Sequence, residues 1–170
     1  TSRARVKIGG AGSKACQHHP LAGLEHIPND AFANETCNAC HHDLGMHGGR
    51  RKNIKNCVQC HQPQTTDPDT GNTVDMKVMI HKIHMGADLP SVQAGTPYQI
   101  VGYRQSVHDY SEAVYPQDVR NCDSCHSANA AMGSSWFSFP SRAACASCHD
   151  DIDWATGENH AGGPADSDDF

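Results

Sequence analysis

The pattern of apolar and polar positions predicts few regular elements in this chain. Apolar residues stand at positions 76, 79, 80 and 83, which is the spacing of one helix face, and Gly86 is suited to end such a helix. Residues 98–103 (Tyr-Gln-Ile-Val-Gly-Tyr) resemble a strand, so we expect a hairpin to follow. Residues 34–36 (Asn-Glu-Thr) are suited to start a further short helix. The remainder is rich in glycine, proline and polar residues, and it predicts long irregular connections.

A turn opens the central part of the chain at residues 67–72 (Asp-Pro-Asp-Thr-Gly-Asn). This segment faintly resembles a calcium-binding loop, which has glycine at its sixth position and glutamate at its twelfth. Asn72 and Val78 occupy those positions here. A plain turn is therefore the interpretation that we favour.

The supply of apolar side chains is thin for a chain of this length. Of 170 residues, 37% are hydrophobic and 6% aromatic. The length itself suggests one domain, or at most two small ones. A fold of this size therefore needs a further source of apolar bulk, and the cysteines indicate what that source is.

The pattern Cys-x-x-Cys-His occurs four times, and we number its occurrences motifs 1 to 4 in chain order. It is typical of c-type haem attachment: the two thiols form thioethers with the haem vinyl groups, and the histidine presents its imidazole to the iron. Zinc sites also use Cys-x-x-Cys pairs, but zinc would not require a histidine after every second cysteine. The sequence thus predicts four c-type haems. The expected attachment residues are Cys37, Cys40, Cys57, Cys60, Cys122, Cys125, Cys145 and Cys148, and the expected proximal ligands are His41, His61, His126 and His149.

Four haems would supply the missing apolar bulk. The expected fold class is therefore a multihaem cytochrome c, mostly irregular, with short α-helices, little β structure and a core built from stacked haems. Only 15 residues separate motifs 1 and 2, and 18 separate motifs 3 and 4, so the haems of each pair should be neighbours. We predict a single tetrahaem domain over residues 1–170. Its parts are a lead (1–36), a first haem pair (37–61), a central connection (62–121), a second haem pair (122–149) and a C-terminal segment (150–170).

The sixth ligand of each iron decides what the haem does. A second histidine or a methionine makes an electron-transfer haem, whereas an open position allows catalysis. The chain has 13 histidines, so nine remain beyond the four motifs. His81 and His84 are the first candidates, because they are three residues apart on the predicted helix among apolar residues. We expect them to ligate two different haems, with one haem from each pair as the arrangement considered; core histidines bonded to the backbone are the alternative.

Two further candidates precede glycines, which let the backbone approach a porphyrin closely. They are His47, followed by Gly-Gly, and His160, followed by Ala-Gly-Gly. The remaining histidines are read as surface or reserve residues: His18, His19, His26, His42 and His108. The pair His18–His19 could offer a ligand to a neighbouring molecule. The five methionines are alternatives that more often serve packing.

The eight motif cysteines leave Cys16, so no disulfide within the chain is possible. A cysteine of this kind indicates intermolecular pairing or a free thiol, and a buried thiol is the alternative. Covalent haem attachment places the protein outside the cytoplasm. The net charge of −6 argues against nucleic acid as a partner, and no run of 18 apolar residues predicts a transmembrane segment.

Several segments match one known family in their residues and in their order along the chain. They are Cys37-Asn-Ala-Cys40-His41 with His47-Gly-Gly-Arg-Arg51, Cys57-Val-Gln-Cys60-His61, Val74-Asp-Met-Lys-Val-Met-Ile-His81-Lys-Ile-His84-Met-Gly86, Tyr115-Pro-Gln-Asp-Val-Arg120-Asn-Cys122, and Ala144-Cys-Ala-Ser-Cys148-His149 with His160-Ala-Gly-Gly163. In them the chain resembles the outer-surface decahaem cytochromes of metal-reducing bacteria, of the OmcA/MtrC type. The resemblance implies electron transfer from the cell to extracellular minerals, flavins or other acceptors. It also implies His47, His81, His84 and His160 as distal ligands.

The chain also departs from that family. Each family haem domain is a five-haem module paired with a β-barrel domain, whereas this sequence contains neither a fifth motif after His160 nor a β-domain. We expect either a fragment of a larger surface cytochrome or a single-module protein. In the second case, copies of the chain could join head to tail as a conductive filament.

The function expected is extracellular electron transfer along closely packed bis-histidine haems, and the chain is not expected to be an enzyme. Its partners would be other copies of itself, other multihaem cytochromes, and acceptors such as metal oxides or flavins. It would lie outside the cell or at its surface, with the periplasm less favoured. The alternatives are a multihaem reductase with one open iron, a soluble carrier, and a structural or metal-storage protein.

Overall fold

The computed structural model describes residues 33–127 and 130–165, and short elements joined by irregular chain make up this part. The helices are α1 (Asn34–His41), α2 (Ile54–Cys57), α3 (Met76–Met85), α4 (Pro90–Gln93), α5 (Ser135–Ser138) and α6 (Arg142–Cys148), and the strands are β1 (Gln99–Val101) and β2 (Val107–Asp109). Short 3-10 helices cover Gly86–Asp88, Tyr103–Gln105 and Cys122–Ser124. The predicted mixture of short helices, little β structure and long irregular connections is confirmed for the described residues. The predictions for Cys16, His18, His19 and His26 lie outside them.

Helix α3 is the predicted central helix, and its ends have clear local causes. Its first turn is capped by Asp75, whose carboxylate accepts a hydrogen bond from the Lys77 N–H at 3.1 Å. It ends at Gly86, which has a φ of 47°. A side chain at this position would collide with the backbone of Ala113. Glycine therefore ends the helix and also permits the backbone around Ala113 to pass close to it.

Helices α1 and α2 carry the first two motifs and are tied together at their N-termini. The side-chain oxygen of Asn34, the first residue of α1, accepts a hydrogen bond from the Ile54 N–H at 2.8 Å. Ile54, the first residue of α2, is buried. Asn53 caps α2 by accepting from the Lys55 N–H at 2.9 Å. These contacts bring motif 1 and motif 2 close together, although each helix is short.

Helix α6 packs against α3 and brings motif 4 to the central connection. Ser147 of α6 is completely buried, and its hydroxyl donates to the carbonyl of Ala144 in the same helix. At the other end, Ser141 caps α6 by accepting from the Ala144 N–H, and its hydroxyl oxygen lies 3.2 Å from the Lys77 ammonium of α3. Helix α6 thus has one small buried residue, Ser147, and a polar contact to α3 at Ser141.

Strands β1 and β2 form the antiparallel hairpin expected after residues 98–103, with Ile100 opposite His108. The turn at residues 67–72 holds the outer edge of β1. The Asp67 carboxylate accepts from the Val101 N–H at 2.8 Å, from the Thr70 hydroxyl at 2.7 Å and from the Asp69 N–H at 3.0 Å. Protein donors therefore occupy this carboxylate, which supports the interpretation of the segment as a structural turn. Burial alone would raise the pKa of Asp67, but the hydrogen bonds from Val101 and Thr70 outweigh it and lower that pKa.

Few apolar side chains are buried in the described residues. Those below about a tenth exposed are Ile54, Val74, Leu89, Tyr98 and Ala130. Large apolar side chains such as Phe137 and Val114 stay 74% and 77% exposed. The protein thus has a small core of its own, and a core of stacked haems stays a prediction. Within the described part of the chain, no helix is long and apolar enough to cross a membrane.

Substitution of Asp67 tests the turn that holds the hairpin. We expect Asp67→Asn to lower the free energy of unfolding by about 1–3 kcal/mol, because charge-assisted hydrogen bonds to a buried group are lost. The pKa of Asp67 is lowered on folding, so the wild-type advantage exists above the unfolded pKa of about 4 and is lost as pH falls through the folded pKa. Denaturant unfolding from pH 7 to pH 3 should therefore show the two proteins converging in acid. Asp69→Asn, at an exposed neighbouring carboxylate, is the control; a gap that is equal for both variants, or constant with pH, would contradict this role.

Candidate haem sites

The eight motif cysteines are free thiols in the structure, each exposed or half-buried. Free thiols are the form that thioether formation requires, so the residues present fit covalent haem attachment. Burial raises the pKa of some of these thiols, as at Cys37 and Cys148.

One local backbone contact shapes motifs 2 to 4. The histidine N–H bonds the carbonyl of the first cysteine: His61 to Cys57 at 2.9 Å, His126 to Cys122 at 2.9 Å, and His149 to Cys145 at 3.0 Å. This contact closes one helical turn, and residues i, i+3 and i+4 of a turn share one face. Motif 1 lies within α1, which ends at His41. Each motif therefore presents two thiols and an imidazole to the same side.

Three of the four motif histidines face a second histidine predicted as a distal ligand. The ring centroids of His41 and His84 are 5.9 Å apart, with an angle of 70° between the rings. Those of His61 and His47 are 6.0 Å apart at 32°. Those of His126 and His81 are 6.2 Å apart at 20°. The structure thus pairs these residues across segments that are distant in sequence.

These separations match the distance expected between two imidazoles that bind the same metal ion. A metal–imidazole bond is about 2.0–2.1 Å long, and the ring centre lies about 1 Å beyond the nitrogen, so the two centroids would be about 6 Å apart. Packed aromatic rings without a metal also span this range. The distance is therefore compatible with ligation, and the hydrogen bonds of the rings give the more specific indication.

Four of the eight candidate ligand histidines donate a hydrogen bond from Nδ1 to a backbone carbonyl. His61 bonds Val74 at 2.8 Å, His81 bonds Lys77 at 2.6 Å, His84 bonds Ile80 at 2.9 Å and His160 bonds Gly163 at 2.6 Å. A carbonyl partner on Nδ1 fixes the tautomer and leaves the Nε2 lone pair free, which is the usual arrangement around metal-ligating histidines. Burial lowers the pKa of His81, so this ring is held neutral.

Helix α3 contributes one imidazole to each of the two motif pairs. His84 faces His41 of the first motif pair, and His81 faces His126 of the second pair. The two histidines thus lie beside motifs of different pairs, and their ligation of two different haems stays a prediction. Since the two histidines stand three residues apart, one turn of helix sets the relation between the sites of motif 1 and motif 3.

His47 reaches motif 2 through an unusual backbone. Its own φ is 53°, and Gly48 and Gly49 have φ values of 73° and 77°. Consecutive positive φ angles require glycine at most positions, so the two glycines permit the tight loop that returns the ring to His61. The glycines after His47 were read from the sequence as allowing a close approach of the backbone, and here they shape the loop that carries the imidazole.

Motif 4 differs from the other three. His160 packs on the ring of Trp154, with centroids 4.8 Å apart, and no ring contact joins His160 to His149 within the described residues. The role of His160 as the distal ligand of this motif stays a prediction. Of the reserve histidines in the described part, His42 and His108 are exposed, and the ring of His108 lies 3.2 Å from the Ser106 hydroxyl.

A buried ion pair positions motif 4. Asp150, directly after His149, accepts from the Lys82 ammonium at 2.6 Å and from the N–H and hydroxyl of Ser91 at 2.9 and 2.6 Å. The side chains of Lys82 and Asp150 are 16% and 8% exposed. Burial would raise the pKa of Asp150, but the bonds from Lys82 and Ser91 outweigh it and lower that pKa. Sequence reasoning missed this cluster; its one signal was a lysine amid the apolar positions of the predicted helix.

The thiols of different motifs lie close enough to affect one another. Beyond the effect of burial, the pKa of Cys125 is raised by nearby Cys40, and that of Cys37 by Cys125 and, less, by Cys57. The pKa of Cys148 is likewise raised by burial and then by Cys122. The thiols of motifs 1 and 2 therefore lie near each other, as do those of motifs 3 and 4 and those of motifs 1 and 3. That the haems of motifs 1 and 2, and of motifs 3 and 4, are neighbours stays a prediction.

Comparison with known proteins places this site in a family context. The family model described as "Outer membrane cytochrome MtrC/MtrF-like, domains II/IV" matches residues 29–168. The crystal structure of the outer membrane decaheme cytochrome OmcA is 35% identical with a TM-score of 0.63, and the match covers 71% of this chain and 19% of that one. MtrC from Shewanella baltica OS185 is 28% identical with a TM-score of 0.50, covering 76% of this chain and 17% of that one. This chain spans about a fifth of the length of either structure. No curated protein sequence matches it.

Removal of the Asp150 carboxylate tests the cluster that positions motif 4. We expect Asp150→Ala to lower the free energy of unfolding by about 3–5 kcal/mol, because it leaves the Lys82 ammonium buried without its partner. Denaturant unfolding followed by circular dichroism measures the change. Asp151→Ala, at the exposed neighbouring carboxylate, is the matched control and should stay within about 0.5 kcal/mol of the wild type. Equal losses for the two variants would show that the ion pair contributes little.

Proposed function

This chain belongs to the MtrC/MtrF-like family of outer membrane cytochromes, and from that premise we propose that it is an electron-transfer protein carrying four c-type haems. The observation that carries the proposal is the pairing of three motif histidines with a second imidazole at about 6 Å, on motifs that also present two free thiols. Each pair would supply two histidine ligands to one haem iron. When bound, a c-type haem supplies a one-electron iron couple.

The residues of this chain bind and orient rather than react. Eight thiols would hold the haems covalently, and His41 with His84, His61 with His47 and His126 with His81 would each ligate one iron. The Nδ1 bonds to backbone carbonyls raise the basicity of the ligating nitrogen. Basic ligands favour the oxidised iron, so low reduction potentials are expected. An iron held by two histidines would offer no position to a substrate.

For motif 4 we propose His149 as the proximal ligand and retain His160 as the distal one. The support for His160 is the family resemblance and the Nδ1 bond to Gly163, which leaves Nε2 free. The histidines of the lead, His18, His19 and His26, are the alternative ligands for this iron, and they lie outside the described residues.

We further propose that the protein acts outside the cell or at its surface. Its partners would be other multihaem cytochromes and extracellular acceptors such as metal oxides or flavins. Head-to-tail association of copies into a filament is the finer form of this proposal, and its interface candidates are Cys16 and the pair His18–His19. The resemblance to outer membrane cytochromes supports the location.

A multihaem reductase is the second candidate function, and motif 4 is the observation that favours it. In the described residues, no second imidazole faces His149 as one faces each of the other three motif histidines. An open position on one iron is what catalysis at a haem requires. The two functions therefore differ in the ligation of a single site.

The haem content and spin state of the purified protein separate the two functions. We expect four haems per chain by the pyridine haemochrome assay, and only low-spin iron in the electron paramagnetic resonance spectrum of the oxidised protein. High-spin iron in one haem of four, abolished by Cys145→Ala/Cys148→Ala, would favour the reductase instead. A protein exported by a cytochrome c maturation host without bound haem would contradict both.

Replacement of the α3 histidines tests the proposed pairing. His84→Ala and His81→Ala should each convert one of the four haems to high spin, since each removes one axial ligand. The high-spin signal of His84→Ala should disappear when Cys37 and Cys40 are also replaced by alanine, and persist when Cys122 and Cys125 are replaced instead. His108→Ala, at an exposed histidine of β2, is the control and should stay fully low-spin. A high-spin signal that follows motif 3 rather than motif 1 would contradict the pairing of His84 with His41.

A further inference from the structure

Tyr115 lies between two of the proposed sites. Its ring is perpendicular to the imidazole of His84, with centroids 5.6 Å apart and an angle of 89° between the rings. The residue is half-buried and belongs to the irregular segment before motif 3. An edge-to-face contact of this kind places the positive edge of one ring on the face of the other and is a preferred aromatic geometry. The orientation of the His84 ring is thus limited by a neighbour from another part of the chain.

The hydroxyl end of the same side chain is held on motif 3. The Tyr115 side chain also lies beside the side chain of Cys125 in motif 3. The Gln117 amide donates to the Tyr115 hydroxyl at 3.3 Å and to the Ser124 hydroxyl, inside motif 3, at 3.0 Å. The phenol therefore has one end on motif 3 and its ring on the distal imidazole of motif 1.

The His84 ring has two restraints of different kinds. The Nδ1 bond to Ile80 at 2.9 Å fixes which nitrogen faces away from the helix, but a single hydrogen bond allows the ring to swing about it. The Tyr115 ring, placed at a right angle to the imidazole plane, opposes that swing. The direction of an axial imidazole plane governs its overlap with the metal orbitals, and groups beyond the ligands tune a metal site through such orientation.

We propose that Tyr115 is a positioning residue that fixes the plane of the His84 imidazole and couples it to motif 3. Its ring acts on the site formed by His41 and His84, and its hydroxyl is linked to Ser124 of motif 3 through Gln117. The inference rests on the proposed haem function. It adds a residue outside the motifs and outside the ligand set to those that set the properties of one particular site.

The test compares Tyr115→Leu with Tyr115→Phe in the oxidised holoprotein by electron paramagnetic resonance and in a potentiometric titration. Tyr115→Leu removes the aromatic ring, so one low-spin signal should change its g-values and one midpoint potential should shift. That signal is identified as the one that His84→Ala converts to high spin. Tyr115→Phe keeps the ring, so it should return the signal close to its wild-type position. Tyr103→Leu, at a tyrosine that is 79% exposed, is the control and should leave every signal unchanged.

Each outcome decides the proposal. A spectrum of Tyr115→Leu identical to the wild type overturns it, and so does a change in Tyr115→Phe as large as that in Tyr115→Leu. A change confined to signals that survive in His84→Ala also overturns it. The haem count and low-spin character of the wild type are measured on the same preparation. A wild-type protein without four low-spin haems would contradict both the proposed function and the inference. Four low-spin haems whose signals do not respond to the Tyr115 variants would contradict the inference alone.

Discussion

The hydrogen bond from a histidine Nδ1 to a backbone carbonyl is the contact on which the candidate sites depend. In α3 the carbonyls of Lys77 and Ile80 receive His81 and His84, each four residues further along the helix. Both rings are thereby turned so that Nε2 points away from the helix that carries them. The same contact orients His61 through Val74, whose side chain is one of the few that are buried. The direction of each of these imidazole rings is thus set by a backbone carbonyl. A small protein can hold its backbone rigidly without a large core.

Helix α3 also packs against a second helix in the described part of the protein. It lies on α6, and Lys82, between the two histidines, reaches Asp150 beyond motif 4. A buried ion pair is costly unless its remaining hydrogen-bonding capacity is met. Ser91 meets it with two donors, and the Lys82 ammonium also lies 5.2 Å from the centroid of the Tyr98 ring. One ten-residue helix therefore orients imidazoles toward motifs 1 and 3 and holds motif 4 in place.

The four motifs are alike in sequence but unlike in their surroundings. Motifs 1, 2 and 3 each meet an imidazole from another segment, whereas motif 4 is held by an ion pair and lies in the same region as Trp154 and His160. Identical local turns can therefore belong to sites with different ligation, because the second ligand comes from tertiary contacts. The choice between an electron carrier and a reductase therefore depends on the ligation of the iron at motif 4 alone.

The features that the sequence determined by itself are local ones. The Cys-x-x-Cys-His turns, the start of α1 at Asn34, the helix ending at Gly86 and the Asp67 turn all depend on contacts within a few residues, and such contacts follow from residue type and spacing. The candidate ligands His81 and His84 were also found by their helical spacing. Tertiary structure alone decided that His84 faces His41, that Asp150 pairs with Lys82, and that Tyr115 links His84 to motif 3. These contacts join segments tens of residues apart, and no local preference encodes them, because they arise only when packing brings the segments together.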